Sequence, residues 1–176
     1  MLAQQDTKQI MDVISNRTKL FLQTEIHLTV DQTQFYQSYV TALKLRHLTS
    51  LMSLGGNIGI YLAYSFEKKL IHYIFKLYTQ GIDIEPEEQD QYIAETAGDI
   101  INIIVGNATQ DLSPAGPIIT LSPPIIITEA KQIIRARKAQ FFTVEMITGE
   151  GVFNIFFIAP KELFDENLNY VSNEKL

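Results

Sequence analysis

The sequence predicts an α/β domain of the α+β kind, in which a mixed, largely antiparallel sheet carries long helices packed on it. Two stretches share one plan. "LTSLMSLGGNIGIYLAYSFEKKL" and "QFFTVEMITGEGVFNIFFIAPKELF" each run from an apolar extended segment through a glycine turn into a second apolar segment and then a helix start. Between them, "ETAGDIINIIVGNA" (residues 95–108) has its apolar residues at helical rather than alternating spacing. The third observation is size: 176 residues at 46% hydrophobic content suffice for one compact core and not for two ordinary ones, so residues 1–176 are expected to form a single domain.

Taken in order, residues 6–22 place Ile10, Val13, Ile14 and Leu20 or Phe21 at helical spacing behind Asp6 or Thr7 as a cap, which predicts a first helix. "TEIHLTV" (24–30) alternates, with Ile26, Leu28 and Val30 on one side and His27 and Thr29 on the other, and predicts a strand. Residues 31–44 mix aromatic and polar side chains without a clear period, so their state stays open. Gly55 and Gly56 supply the backbone angles of a tight hairpin between two apolar strands. Ser65 is expected to cap the helix of "FEKKLIHYIFKLYTQG", whose Leu70, Ile74 and Leu77 form a stripe and whose Gly81 can stop it. In the acidic connector "IDIEPEEQD", Pro86 and Glu87 suit a helix's first turn and introduce the central helix. Pro117, Pro123 and Pro124 then break "PIITLSPPIIIT" into extended pieces and predict a proline-marked edge or bend. The second hairpin follows, with Gly149 and Gly151 at its turn and Pro160 opening a short helix. Its likeness to the first, at an offset of about 92 residues, suggests an internal duplication.

Composition excludes several function classes. A formal net charge of -6 works against a polyanionic partner, and the one basic run, Arg135, Arg137 and Lys138, reads as the exposed side of a strand, so no nucleic-acid partner is expected. The chain has no cysteine, which removes disulfides, thiolate metal sites and cysteine nucleophiles and fits a reducing cytoplasm. The N-terminal "MLAQQDTKQIMD" lacks the basic flank and apolar run of a secretory signal, and no apolar segment approaches the roughly 20 residues that span a bilayer. A soluble, cytoplasmic protein with no membrane partner is therefore expected. "GGNIG" lacks the Lys-Ser/Thr of a phosphate loop, and His27, His47 and His72 are scattered, so neither a nucleotide nor a metal site is expected.

The central helix contains the anomaly. Asp99 and Asn102 are weak helix formers, because their short polar side chains compete for backbone groups. On a wheel advancing about 100° per residue, Glu95 and Asn102 fall within about 60° of Asp99, and Gly106 lies close to the same line. Ala94, Ala97, Ile101, Ile104 and Val105 lie opposite, flanked by Ile93 and Ile100. The helix is thus docked on a core and shows a narrow Glu95, Asp99, Asn102 stripe to water. Gly98 and Gly106 cost about 1 kcal/mol each relative to alanine and would let another molecule approach closely. An ordinary solvated helix face is the competing reading of the same pattern.

These residues resemble the signature helix of the CheC/CheX family of chemotaxis phosphatases, and its CheX branch more than its CheC branch. The signature reads acid-x-x-Asn, preceded four residues earlier by Asp or Ser and followed some twenty residues later by Pro. Here Asp99-Ile100-Ile101-Asn102 matches it, with Glu95 before and Pro123-Pro124 after. Two departures stand out: Asp99 is one methylene shorter than the usual Glu, and Glu95 stands where Asp or Ser is usual. CheC-like members carry the motif on two helices, but the first helix here, with "ISNRTKLFL", has no acid-x-x-Asn, so one active surface is implied.

The resemblance implies a phosphatase acting on the phospho-aspartate of a CheY-type response regulator. That regulator supplies its own Mg2+ and lysine, so this chain needs no cofactor of its own. Asn102 would hold the attacking water and Asp99 would pair with the regulator's lysine, with Glu95, Gly98 and Gly106 at the partner-binding face. An amide suits this task because it orients water through a donor and an acceptor without adding charge beside a phosphoryl group. A homodimer is also implied. Two alternatives stay open: a non-catalytic regulator-binding or dimerisation adaptor on the same fold, and a small-ligand sensor.

Overall fold

The computed structural model describes residues 7–38, 42–55, 59–112, 119–129, 132–134 and 139–160. The first helix, α1 (Thr7–Glu25), buries Ile10, Met11, Ile14, Phe21 and Leu22 along one face. Strands β1 (Val30–Ser38), β2 (Ala42–Lys44), β3 (Leu48–Leu54) and β4 (Ile60–Phe66) follow, then α2 (Lys68–Tyr78). A 3-10 turn over Pro86–Glu88 leads directly into α3 (Gln89–Leu112). The chain closes with β5 (Ile125–Ile127), β6 (Gln132–Ile134), β7 (Ala139–Thr148) and β8 (Gly151–Pro160).

Six strands form one sheet in the order β1-β7-β8-β4-β3-β5, and every described strand pair is antiparallel. The order reads the same backwards when β1 exchanges with β5, β3 with β7 and β4 with β8. This is a symmetry of topology, separate from any claim about descent.

Alternation along the strands makes two apolar faces. Ile60, Leu62, Tyr64 and Phe66 of β4, with Phe153, Ile155 and Phe157 of β8, meet the buried sides of α1, α2 and α3 in the main core. Their neighbours Ala63, Phe141 and Phe156 point the other way and pack under Leu43, with Ile133 against them, because β2 and β6 pair into a small ribbon over that face. The result is three layers: helices, sheet and ribbon. Burying apolar area at about 25 cal/mol per Å² on both sides of the sheet is the dominant stabilising contribution.

Two expectations are corrected. The strand expected over 24–30 does not form: α1 runs on to Glu25, His27 takes a left-handed φ of 56°, and the Leu28 amide donates to the Leu22 carbonyl at 2.8 Å. Ile26 and Leu28 are buried and His27 and Thr29 exposed, as alternation suggested, but a helix terminus produces that pattern here. Ser65 does not cap α2. It lies buried in β4, where its Oγ accepts the Arg46 amide at 2.7 Å and meets Thr49 Oγ1 at 2.8 Å, while Glu67 occupies the cap position. The largely antiparallel sheet with helices packed on it forms as expected, and every described strand pair in it is antiparallel. His47 and His72, far apart in sequence, have ring centroids 6.0 Å apart. Asp6, Gly56, Pro117, the basic run at 135–138 and the helix expected after Pro160 lie outside the described residues.

Candidate functional site

The candidate site is the outward face of α3, and the fold fixes that face from behind. Ile93, Ala97, Ile100, Ile101, Ile104, Val105 and Ala108 are all buried, which locks the rotation of the helix about its axis. Glu95, Asp99 and Asn102 are consequently exposed together, as the wheel predicts. Glu95 accepts a hydrogen bond from Gln91 Nε2 at 2.8 Å one turn earlier. The Asn102 side chain has no hydrogen-bond partner among the described residues. Gly106 is half-buried, and a Cβ there would meet nothing within 4 Å.

Gly98 has a different surrounding from the one its sequence position suggests. It is buried, and a Cβ there would stand 3.4 Å from Pro124 Cγ and 3.5 Å from Ile126 Cδ1. The chain itself therefore takes up the space beside this glycine. Pro124 is held in place from the other side. Leu121 bridges to Leu54, the Ser122 amide donates to the Ser53 carbonyl at 3.1 Å, and the Ser53 amide donates to Ser122 Oγ at 3.0 Å. The proline of the sequence pattern and the helix that bears Asp99 are thus clamped together through β3.

Residues of α3 help to line two grooves, and Asp99 lines the first of them. One, of about 420 Å³, is lined by Gln91, Glu95, Gly98, Asp99, Pro124 and Ile126. The other, of about 270 Å³, lies between α1 and α3 and is lined in part by Leu20, Glu25, Tyr78 and Ile103. Burial raises the Tyr78 phenol above its ordinary pKa, and the Asp99 and Glu25 carboxylates add to the rise. The groove and Ile103 escaped the sequence reading. The available signal was Ile103's angle on the wheel, about 40° from Asp99, where an isoleucine on a polar stripe is out of place.

Two other polar clusters contrast with this face. On the ribbon side of the sheet, Arg46 donates from Nη1 to Glu67 Oε1 at 2.7 Å, from Nη2 to Glu145 Oε2 at 3.0 Å and from Nε to Asn154 Oδ1 at 2.5 Å. Glu67 Oε2 in turn accepts the Val152 amide at 2.9 Å. The His47 and His72 pair lies near Lys68, and no group of three or more His, Asp or Glu residues able to hold a metal ion occurs among the described residues. Burial, Lys68 and His72 depress the His47 pKa, with Asp90 opposing them. Among the described residues, no helix is long and apolar enough to cross a membrane.

Comparison with known proteins places this geometry in a family. No curated protein sequence gives a significant match. Among solved structures, the fold is similar to a chemotaxis protein CheX from Desulfovibrio desulfuricans, at 21% identity and a TM-score of 0.72 over 85% of this chain and 97% of the other. It is also similar to CheX from Vibrio vulnificus, at 14% identity and a TM-score of 0.66 over 87% and 97%. A third likeness is to a chain of the CheX-CheY-BeF3-Mg2+ complex from Borrelia burgdorferi, at 13% identity and a TM-score of 0.63 over 85% and 97%. At these identities the likenesses carry the fold. The sequence itself matches the family model "Chemotaxis phosphatase CheX" over residues 48–157, a span that includes all of α3, Pro124 and both glycine hairpins. This chain belongs to the CheX family of chemotaxis phosphatases.

Proposed function

We propose that this chain removes the phosphoryl group from the phospho-aspartate of a CheY-type response regulator, with α3 inserted at the regulator's site. The observation that carries the reading is the outward face of α3. An acid and an amide three residues apart are both exposed there, and the amide is uncommitted among the described residues. Family membership supports it, and so does the likeness to a chain of a complex that contains CheX, CheY, BeF3 and Mg2+.

In the proposed reaction a water oxygen attacks phosphorus and the bond from phosphorus to the aspartate oxygen breaks. Aspartate leaves as carboxylate, and the product H2PO4− keeps both water hydrogens. Asn102 accepts a hydrogen bond from the water through its amide oxygen and so holds the water in line, adding no charge beside the phosphoryl oxygens. Asp99 pairs with the regulator's lysine and fixes the docking register. Mg2+ comes with the regulator and neutralises charge on the phosphoryl oxygens. Because phosphoryl transfer depends mainly on positioning and charge stabilisation, a phosphatase of this kind has no need of a strong base.

The test is release of inorganic phosphate when the purified protein is mixed with phosphorylated regulators. Release that Asn102→Ala slows by about tenfold or more is the expected result. Unchanged turnover in that variant rejects the role given to Asn102. A second reading, an adaptor that binds regulators without hydrolysis, is favoured by Asp99 standing where the family usually has the longer Glu. Binding without phosphate release would select it. A homodimer belongs to the same proposal: β1 is a nine-residue strand at the sheet edge with Phe35 and Tyr36 exposed, and a second copy could pair along it. Light scattering at the mass of one chain would remove that part.

A further inference from the structure

We infer that the groove between α1 and α3 is the affinity-setting seat for the regulator, receiving an apolar side chain flanked by a basic one. This rests on the function proposed above and names the contact that holds the partner there. The groove adjoins the acid-amide face directly: Ile103 follows Asn102 in sequence and lies one turn after Asp99. Three of its apolar residues are left in water. Leu20 is 48% exposed, Tyr78 38% and Ile103 37%.

These three come from three different helices, α1, α2 and α3, so no single amphipathic pattern explains their exposure together. Phe21 closes the floor at 6% exposure. An apolar floor with a polar rim is the anatomy of an interface core, where a few well-packed anchors supply most of the affinity.

Charge identifies the occupant. Glu25 and Tyr78 line the groove, and the Glu25 and Asp99 carboxylates both act on the Tyr78 phenol. Arg17 at the opposite rim is already paired to Asp111, at 2.5 and 2.6 Å, so it offers little net charge to a visitor. The rim is therefore anionic, and it fits a surface that sets a lysine or arginine beside an aliphatic side chain. A second copy of this chain, with net charge -6, fits less well. The other groove, beside Pro124, has Ala94, Pro124 and Ile126 in its lining along with Gln91, Glu95 and Asp99, and no leucine or aromatic side chain.

Leu20→Ser and Ile103→Ser test the inference on two separate helices, with thermal melts to show that each variant folds and Ile103→Leu as the conservative control. The readouts are KM and kcat for phosphate release and the Kd for a beryllofluoride-loaded regulator. Each Ser variant is expected to raise KM and Kd by at least about tenfold while kcat at saturation falls less than about threefold, with Ile103→Leu close to wild type. Asn102→Ala should show the reverse split. If KM and Kd stay within about twofold of wild type while Asn102→Ala loses turnover, the groove inference is overturned and the proposed catalysis stands. If the Ser variants weaken binding but wild type releases no phosphate, the catalytic proposal fails and the groove inference survives. Variants that disrupt only self-association, or a wild-type protein that binds no regulator, overturn the groove assignment.

Discussion

Two polar constellations of similar size sit on opposite sides of this sheet, and they differ in how far the fold itself satisfies them. Arg46 uses three guanidinium nitrogens on Glu67, Glu145 and Asn154, and its side chain keeps only 24% of its surface exposed. On α3, Asp99 and Asn102 face water, and the Asn102 side chain has no hydrogen-bond partner among the described residues. Half-buried polar groups that are fully paired serve the fold, because leaving any one of them unpaired costs desolvation without return. Exposed groups held in fixed relative positions by a rigid helix, yet left unpaired, are available to a visitor. The same residue types thus have opposite meanings, and their partners decide which applies.

The largest effect should come from breaking the paired side. Arg46→Ala leaves two carboxylates and an amide in a half-buried site. After discounting for partial exposure, the expected loss is about 2 kcal/mol of stability, or roughly 4–8 °C in melting temperature. Phosphate release measured at a temperature where the variant is folded should change little. An unchanged melt would mean that the pairing is decorative and the contrast between the two sides is false.

The unpaired side should respond in the opposite sense. Asn102→Ala is expected to move stability by no more than about 0.5 kcal/mol while removing on the order of 1.4 kcal/mol of transition-state stabilisation, the equivalent of a tenfold loss in rate. A variant that melts several degrees lower would reveal a structural role for the amide.

Gly106→Ala sharpens the comparison further, because a methyl there meets nothing within 4 Å inside the chain. Replacing a helical glycine with alanine should stabilise α3 by up to about 1 kcal/mol. If a partner's backbone approaches at that point, KM should rise even as the melting temperature does. A gain in stability with no change in KM would place Gly106 outside the docking surface.

How much of this was legible in the sequence depended on whether local pattern and tertiary context agreed. They agreed on the strand pairing of both hairpins, although in the first it is Gly59 and not Gly55 that takes a positive φ, at Pro86 opening the turn into α3, and along the wheel of α3, where ten buried residues fix the rotation that exposes Glu95, Asp99 and Asn102. They disagreed at 24–30, because a helix end with a left-handed residue buries alternate positions just as a strand does. They disagreed at Ser65, whose hydroxyl is claimed by Arg46 and Thr49 within the sheet, a demand invisible to a cap rule that reads only the next few residues. Gly98 was noticed as small and adjacent to the stripe, but its neighbour proved to be Pro124 of the same chain. The groove beside Ile103 left only that isoleucine's place on the polar stripe as a sign in the sequence, since it needs three helices to assemble.

The smallest expected effect lies at the seam where the two kinds of surface meet. Arg17 and Asp111 join α1 to α3 at the edge of the Ile103 groove, and the pairing holds the Asp111 carboxyl below its ordinary pKa, chiefly through the hydrogen bond from Arg17. A carboxylate whose pKa is lowered by folding stabilises the fold above the unfolded value, and that contribution disappears as pH falls through the depressed folded one. The melting temperature of wild type should therefore exceed that of Asp111→Asn slightly at neutral pH. The gap should narrow as pH drops below about 4, and added salt should narrow it as well, because both groups are exposed. A gap that persisted in acid would show that the asparagine disturbs α3 by some route other than charge. A gap absent at every pH would mean that this pair belongs with the uncommitted face and that a docking partner could displace it at no cost to the fold.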